Sequence, residues 1–187
     1  AVRAAMTEEI RRRVATAVQG GGALPALIAD GTTFVDGPLA QFYGLPAPSA
    51  VDATGFGPVD ASTRGGLLGS GAVLAVHARA NSSSPIHRGK LVRERLLCQE
   101  LPPPPPGINA QPPPLDPTLT TRERYAAHAA IVTCSGCHRL MDPIGFAFER
   151  FDGIGRTRDT EGGLPIDDRG EVLGSAGADG TFTGVAG

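Results

Sequence analysis

Tryptophan is absent from this 187-residue chain, and the other aromatic residues number only seven phenylalanines and two tyrosines. Aromatic side chains supply much of the buried area in ordinary cores, so this chain has little of its own with which to fill one. Glycine (26) and proline (17) together make up nearly a quarter of the residues, which predicts long irregular connections between short elements. We therefore expect a core that a bound group helps to complete.

The sequence also lacks a large excess of charge and a long apolar run. Seventeen basic and nineteen acidic side chains give a formal net charge of −2, and no basic stripe is present, so nucleic acid is not an expected partner. The longest apolar run, residues 65–78, contains four glycines and is shorter than the roughly 17 residues of a spanning helix. No transmembrane segment is expected. The start, AVRAAMTEEIRRR, shows no export signal, and we expect a piece of a longer polypeptide.

Helical spacing and capping residues predict a mainly α-helical fold, with short helices, Pro/Gly-rich connectors and a small β-hairpin near the C-terminus. An extended polyproline strap is expected between two halves at 101–117, with an SH3-type ligand as the other interpretation of that run. The predicted helices cover residues 7–19, 24–30, 36–43, 64–80, 85–98 and 120–132, and a further helix has Asp142 as its cap and Pro143 at its first position. Residues 45–63 are predicted to be a connector.

The residues that carry chemistry are Cys-Ser-Gly-Cys-His at 134–138, which match the C-x-x-C-H signature of covalent haem c attachment. Two thiols three residues apart on a helical turn can each form a thioether to a haem vinyl group. The imidazole of the next residue then reaches the iron from the same side. Cys134 and Cys137 are therefore the predicted tethers, and His138 is the predicted proximal ligand.

Three other interpretations of the motif remain. A thioredoxin-like dithiol would need a βαβ context that the sequence does not show, and a disulfide between the two cysteines would make His138 incidental. A zinc site would need a fourth ligand such as Cys98 or His128. Haem is favoured because it would also complete an apolar core with the residues on both sides of the motif. These residues are Tyr125, Ile131, Leu140, Met141, Ile144, Phe146, Phe148 and Phe151.

The second axial ligand decides whether the iron transfers electrons or binds small molecules. Met141 lies three residues after His138 and so on the same helical face, and we expect it to pack rather than ligate. His128 is the candidate distal ligand because it lies one helix earlier. His77 is a weaker candidate, as is His87, because the first half of the chain would have to close over the haem.

Three stretches of the sequence together resemble a family of large secreted bacterial proteins that are common in planctomycetes and myxobacteria. These proteins contain domains of unknown function 1592, 1588 and 1585 in series, around a cytochrome-c-like motif. The stretches are FVDGPLAQFYGLP (34–46), RGGLLGSGAVLAVHARANSSSPIHRGKLVRERLLCQELPPPPP (64–106) and RERYAAHAAIVTCSGCHRLMDPIGFAFERFDGIGRTRD (122–159). The resemblance implies haem binding and favours His128 over Met141 as a ligand. It also implies a division of the chain into three parts. Residues 1–60 would be the C-terminal part of one helical domain, and residues 61–117 would be a helical segment with the polyproline strap. Residues 118–187 would be the haem-binding unit, with the start of a β segment.

The first functional hypothesis is therefore an electron-transfer module with one haem c. Because haem is attached to such motifs after export, we expect a periplasmic, cell-envelope or extracellular location. Its expected partners are redox proteins or other subunits of a larger assembly, basic or neutral in charge because the chain is slightly acidic. The alternatives are a peroxidase-like or oxygenase-like haem enzyme with an open distal site, and a structural or interaction module stapled by haem or zinc.

Overall fold

The computed structural model describes residues 1–22, 24–103, 106–107, 111–130 and 132–187, apart from the side chains of His128, Val132 and Thr133. Seven α-helices and three antiparallel strand pairs lie in these residues, and helices of all types make up 44% of the described residues. The prediction of short helices with small strand pairs is confirmed in outline. The chain divides into two compact units, one of residues 1–81, 151–157 and 185–187, the other of residues 82–150 and 158–184.

The first unit contains four helices and one strand pair. Its elements are α1 (Val2–Gln19), α2 (Leu24–Ala29), β1 (Thr32–Val35), α3 (Gly37–Tyr43), β2 (Gly57–Asp60) and α4 (Gly71–Val76). The two strands are antiparallel, with Thr32 opposite Asp60 and Val35 opposite Gly57. Their buried residues join those of α1 and α3 in one hydrophobic cluster: Ala5, Met6, Val35, Leu39, Ala40, Tyr43, Phe56 and Val59.

Capping chemistry placed α3 correctly. The side chain of Asp36 accepts a hydrogen bond from the backbone N–H of Leu39 at 2.8 Å, and Gly44 ends the helix with a φ of 70°, a left-handed conformation that glycine adopts without steric cost. At α1 the predicted start was wrong. The hydroxyl of Thr7 donates to the carbonyl of Arg3 instead of capping a helix there, so the helix begins five residues earlier, at Val2.

Two predictions for the rest of this unit were wrong. The predicted connector 45–63 contains β2, where Val59 is buried and pairs with Thr33. The predicted helix 64–80 is a 3₁₀ turn at Gly66–Gly69 followed by the six residues of α4. Gly65 and Gly66 interrupt it because both have positive φ, 74° and 60°, which no continuous right-handed helix contains.

The second unit carries the other three helices and two strand pairs. Its elements are α5 (Pro85–Leu91), α6 (Thr121–Ala129), α7 (Val132–Phe146), β3 (Thr160–Glu161), β4 (Leu164–Pro165), β5 (Arg169–Val172) and β6 (Gly180–Thr183). A single π-helical turn, Val92–Leu96, continues α5. The pairs β3–β4 and β5–β6 are antiparallel hairpins, which confirms the strands predicted near the C-terminus.

The starts of α5 and α6 follow their predicted caps. Ser84 accepts from the N–H of His87 through its hydroxyl, with Pro85 next in the chain. At α6, Glu123 accepts from the N–H of Thr120 at 2.7 Å, and the Thr120 hydroxyl lies 3.3 Å from the N–H of Glu123. This reciprocal pair is a capping box. Within the polyproline segment 101–117, residues 104, 105 and 108–110 lie outside the described chain, so its conformation as a whole stays a prediction.

The last helix differs from its prediction in a way that matters for the site. Asp142 was predicted to cap a new helix with Pro143 at its first position, but both residues lie inside α7, which runs unbroken to Phe146. Pro143 has no N–H to donate to the carbonyl four residues earlier, yet the helix continues for a further turn. Asp142 is thereby placed one turn after His138 on the same helix.

Candidate functional site

The three motif residues lie on α7, close to its N-terminal end. Cys134, Cys137 and His138 have the i, i+3, i+4 spacing that brings side chains together on one face of an α-helix. All three side chains are half-buried, and both cysteines are free thiols. A group that lies along this face can therefore meet two thiols and an imidazole without a change in the backbone.

The imidazole of His138 has a defined partner. Its Nδ1 atom lies 2.8 Å from Oδ2 of Asp142, and the two side chains are only 13% and 3% exposed. An ionised carboxylate can only accept hydrogen bonds, so this contact places the proton of a neutral imidazole on Nδ1 and the lone pair on Nε2. Nε2 is then the atom that can bind a metal.

The position of α7 is set by a close contact with α5. A β-carbon built on Gly145 would lie 1.9 Å from the carbonyl oxygen of Pro85, and one built on Gly89 would lie 1.9 Å from the carbonyl oxygen of Met141. The two helices therefore run antiparallel, with their backbones in direct contact at two points about one turn apart. Only glycine allows so close an approach.

A buried arginine holds the turn of α7 that follows His138. The guanidinium of Arg93 donates to the carbonyl of Leu140 from Nε at 3.0 Å and from Nη2 at 2.7 Å. It also donates to the carbonyl of Leu173 and to the side chain of Gln99. Burial lowers the pKa of Arg93, but an arginine stays charged at physiological pH. Arg93 therefore ties α7 to the π-helical turn and to the chain after β5.

A second buried charged group follows the C-terminal end of α7. The carboxylate of Glu149 accepts from the Ser83 hydroxyl at 2.7 Å and from Nη2 of Arg158 at 2.9 Å. Burial raises the pKa of Glu149, against the opposing effects of Arg88, Arg158 and the Ser83 hydroxyl. These bonds hold the chain that follows α7 against Ser83 and Arg158.

A cleft of about 530 Å³ lies beside the same helix, between α6, α7 and the β5–β6 hairpin. Its wall includes Arg122, whose guanidinium stacks 4.5 Å from the ring centre of Phe146. Nε of Arg122 donates to the carbonyl of Asp167 at 2.8 Å, and Nη2 donates to the carbonyl of Arg169. The arginine is thus engaged with the protein itself, and burial lowers its pKa.

Comparison with known proteins identifies the family. The family PSCyt3, described as protein of unknown function (DUF1588), matches residues 64–161, slightly more than half of the chain. The chain belongs to this family. No curated protein and no solved structure matches the sequence.

The DUF1588 region contains all three motif residues and the whole of α5, α6 and α7. Among the side chains that the structure describes, no group of three or more His, Cys, Asp or Glu is arranged to hold a metal ion. Cys98, offered as a fourth zinc ligand, is exposed. In the described part of the chain no helix combines the length and apolar character needed to span a bilayer.

The candidate distal ligands lie on different elements of the chain. His128 belongs to α6, but its side chain lies outside the described part of the structure, so its role stays a prediction. His77 follows α4 in the first unit, and His87 is exposed on α5. Met141 is buried, at 8% exposed, as expected for a packing residue.

Sequence reasoning missed Asp142 as a site residue. The signal was present as the i, i+4 spacing of His138 and Asp142, but it has meaning only if the helix continues through Pro143. The Asp-Pro pair is a strong helix-start pattern. The pattern therefore predicts a cap, in which the carboxylate accepts from backbone N–H groups and not from the imidazole.

Proposed function

We propose that this DUF1588 chain is a c-type cytochrome module that holds one haem c and transfers electrons as part of a larger exported protein or complex. Cys134 and Cys137 would form the two thioethers, and His138 would be the proximal ligand. The observation that carries the proposal is the placement of two free thiols and an imidazole on one face of α7, with Nδ1 of that imidazole bound to Asp142.

The residues present fit such a group. Each thiol is partly exposed, so a haem-attachment enzyme can reach it, and the bond to Asp142 leaves the Nε2 lone pair as the donor. Haem, when bound, supplies one-electron redox chemistry. The chain's own contribution is to hold and orient: the helix fixes the spacing of three side chains, while Arg93 and the α5 contact fix the helix.

For the distal side we propose His128 as the ligand and His77 as the second candidate. His128 is favoured because it lies on α6, which packs against α7 within the same unit. A histidine pair would give a six-coordinate, low-spin iron suited to electron transfer rather than to ligand binding.

Location and partners follow from the attachment chemistry. Haem is joined to C-x-x-C-H motifs outside the cytoplasm, so we propose a periplasmic, cell-envelope or extracellular location. A net charge of −2 favours basic or neutral redox partners. We further propose that residues 1–60 belong to domain of unknown function 1592 and that domain of unknown function 1585 begins within residues 118–187.

The direct test is haem attachment to the chain. The chain is expressed with an export signal in a bacterial host that has the haem c attachment enzymes, and haem is counted by a pyridine haemochrome assay after denaturation. We expect about one haem per chain, retained in acid and organic solvent because the link is covalent. Cys134→Ala and Cys137→Ala should each reduce covalent haem strongly, whereas the matched control Cys98→Ser should leave it unchanged.

The same sample separates the alternatives. A reduced spectrum that does not change with carbon monoxide supports a six-coordinate electron carrier. Rapid carbon monoxide binding, together with reaction with peroxide, would instead support a haem enzyme with an open distal site. Stoichiometric zinc with no haem absorbance would overturn the cytochrome proposal and assign the motif to a structural metal site.

A further inference from the structure

The bond between His138 and Asp142 is more than a helix-surface contact. The carboxylate is almost completely buried, at 3% exposed, and the imidazole is 13% exposed, so water does not compete strongly for the 2.8 Å hydrogen bond. Both residues lie on successive turns of α7, which Arg93 and the α5 contact hold in place. The direction of the imidazole is therefore fixed by the fold.

A carboxylate acts on a metal-bound imidazole in two ways. It holds the proton on Nδ1, which leaves Nε2 with the lone pair, and it makes the ring a stronger electron donor. Its full negative charge also favours the more positive, oxidised state of the metal, and this effect is larger where the surroundings are buried. A neutral acceptor such as a backbone carbonyl would orient the ring but would lack the charge.

We propose that Asp142 is a positioning residue for His138 that fixes its Nδ1–H tautomer and lowers the reduction potential of the bound haem. The effect on the potential rests on the proposed cytochrome function, whereas the effect on the tautomer does not. The residue would make this module a poorer electron acceptor, and a better donor, than a module whose proximal histidine meets a neutral group.

The first measurement is the potential of the haem-loaded chain and of Asp142→Asn. Asparagine keeps the shape and an acceptor oxygen but removes the charge. Loss of a hydrogen-bond partner of a metal-bound histidine typically costs about 10–100-fold in metal affinity or activity. We expect the one-electron equilibrium to shift at least tenfold toward the reduced form, which is a rise of at least about 59 mV in the reduction potential. Asp142→Glu, which retains the carboxylate, should return much of the difference.

The second measurement needs no haem. Nitrogen-15 NMR of the haem-free chain reports which ring nitrogen of His138 carries the proton. We expect the Nδ1–H form in the wild type and a clear loss of that form in Asp142→Ala. The matched control is Glu149→Gln, which neutralises another buried carboxylate of the same unit but does not touch His138. It should leave the tautomer unchanged.

The outcomes separate the two proposals. A wild-type chain that takes up no haem but shows the Asp142-dependent tautomer overturns the cytochrome function and supports the positioning of the ring. The role of Asp142 is overturned, while the cytochrome function is supported, by a different result. In that result the chain binds haem, its reduction potential and its His138 tautomer are the same in wild type and Asp142→Asn, and the Nδ1–H tautomer is also retained in Asp142→Ala. An equal shift of the potential in Glu149→Gln would also overturn it, because the effect would then be general to buried charge.

Discussion

Gly145 lies directly against the carbonyl oxygen of Pro85, so that a β-carbon at position 145 would come within 1.9 Å of that oxygen. The contact is between two backbones, and neither can yield as a flexible side chain would. Since Gly145 is the next-to-last residue of the helix that carries Cys134 and His138, the spacing of α5 and α7 determines where the motif lies. The absence of a side chain at this position is therefore a structural requirement of the site.

The first prediction concerns this contact. Gly145→Ala should force α5 and α7 apart and lower the free energy of unfolding by about 1–3 kcal/mol, as for other overpacked positions. Gly136→Ala is the matched control on the same helix. A β-carbon there meets nothing within 4 Å, so the better helix propensity of alanine should raise stability by up to about 1 kcal/mol. Urea unfolding of the haem-free chain measures both, and effects of the same sign would contradict the assignment.

The second prediction concerns Arg93, whose guanidinium reaches the carbonyls of Leu140 and Leu173 at once. Lysine carries the same charge but lacks the planar fork, so Arg93→Lys should leave at least one of these carbonyls without its donor. We expect a loss of about 1.5–3 kcal/mol in the free energy of unfolding, the range for a hydrogen bond to a charged group.

Arg95, two residues later in the same π-helical turn, is exposed and provides the control. Arg95→Lys should change stability by less than about 0.5 kcal/mol. If the two substitutions have equal effects in thermal or urea unfolding, the fork of Arg93 does not hold α7.

The third prediction concerns the reactivity of the three thiols. Cys98 is exposed, and Cys134 and Cys137 are half-buried, so iodoacetamide should modify Cys98 first and the other two more slowly. Mass spectrometry of the native haem-free chain should finally count three labels. After haem attachment the count should fall to one, on Cys98. A denatured haem-free chain that takes only one label without reductant would mean a disulfide between the motif cysteines.

The sequence was sufficient for elements whose ends are set by local chemistry. The ends of α3 are set by Asp36 and Gly44, and the start of α6 is set by Thr120 and Glu123. A cap needs only residues that lie a few positions apart in the sequence. The same local logic predicts a site at Cys134, Cys137 and His138, since their spacing within one helical turn is itself the signal.

Local chemistry failed where a long-range contact decided the outcome. Pro143 follows Asp142 in a pattern that usually starts a helix, yet the chain stays helical through it, with Gly145 against Pro85, a residue 60 positions earlier. In the first unit, β2 lies in a Pro/Gly-rich stretch with little strand character, and its pairing with β1 crosses more than twenty residues. Both results depend on packing that no short window of sequence contains.

The last prediction concerns Tyr43, which links two buried groups of the first unit. Its hydroxyl donates to Oε2 of Glu9 at 2.6 Å and accepts from the N–H of Gly71 at 2.8 Å. Tyr43→Phe removes both bonds and leaves a buried carboxylate oxygen and a backbone N–H short of partners. We expect a loss of about 1–3 kcal/mol in the free energy of unfolding.

The dependence on pH gives a second and more specific readout of the same residue. Burial, and next the negative charge of Glu9, raise the pKa of Tyr43 well above its ordinary value of 10.0. Above about pH 10 the unfolded chain therefore loses this proton while the folded chain keeps it, so stability falls as the pH rises. Urea unfolding between about pH 9 and 11 should show a steeper fall for the wild type than for Tyr43→Phe, which has no proton to lose at this position. Parallel pH profiles would show that the hydroxyl of Tyr43 is not held neutral beside Glu9.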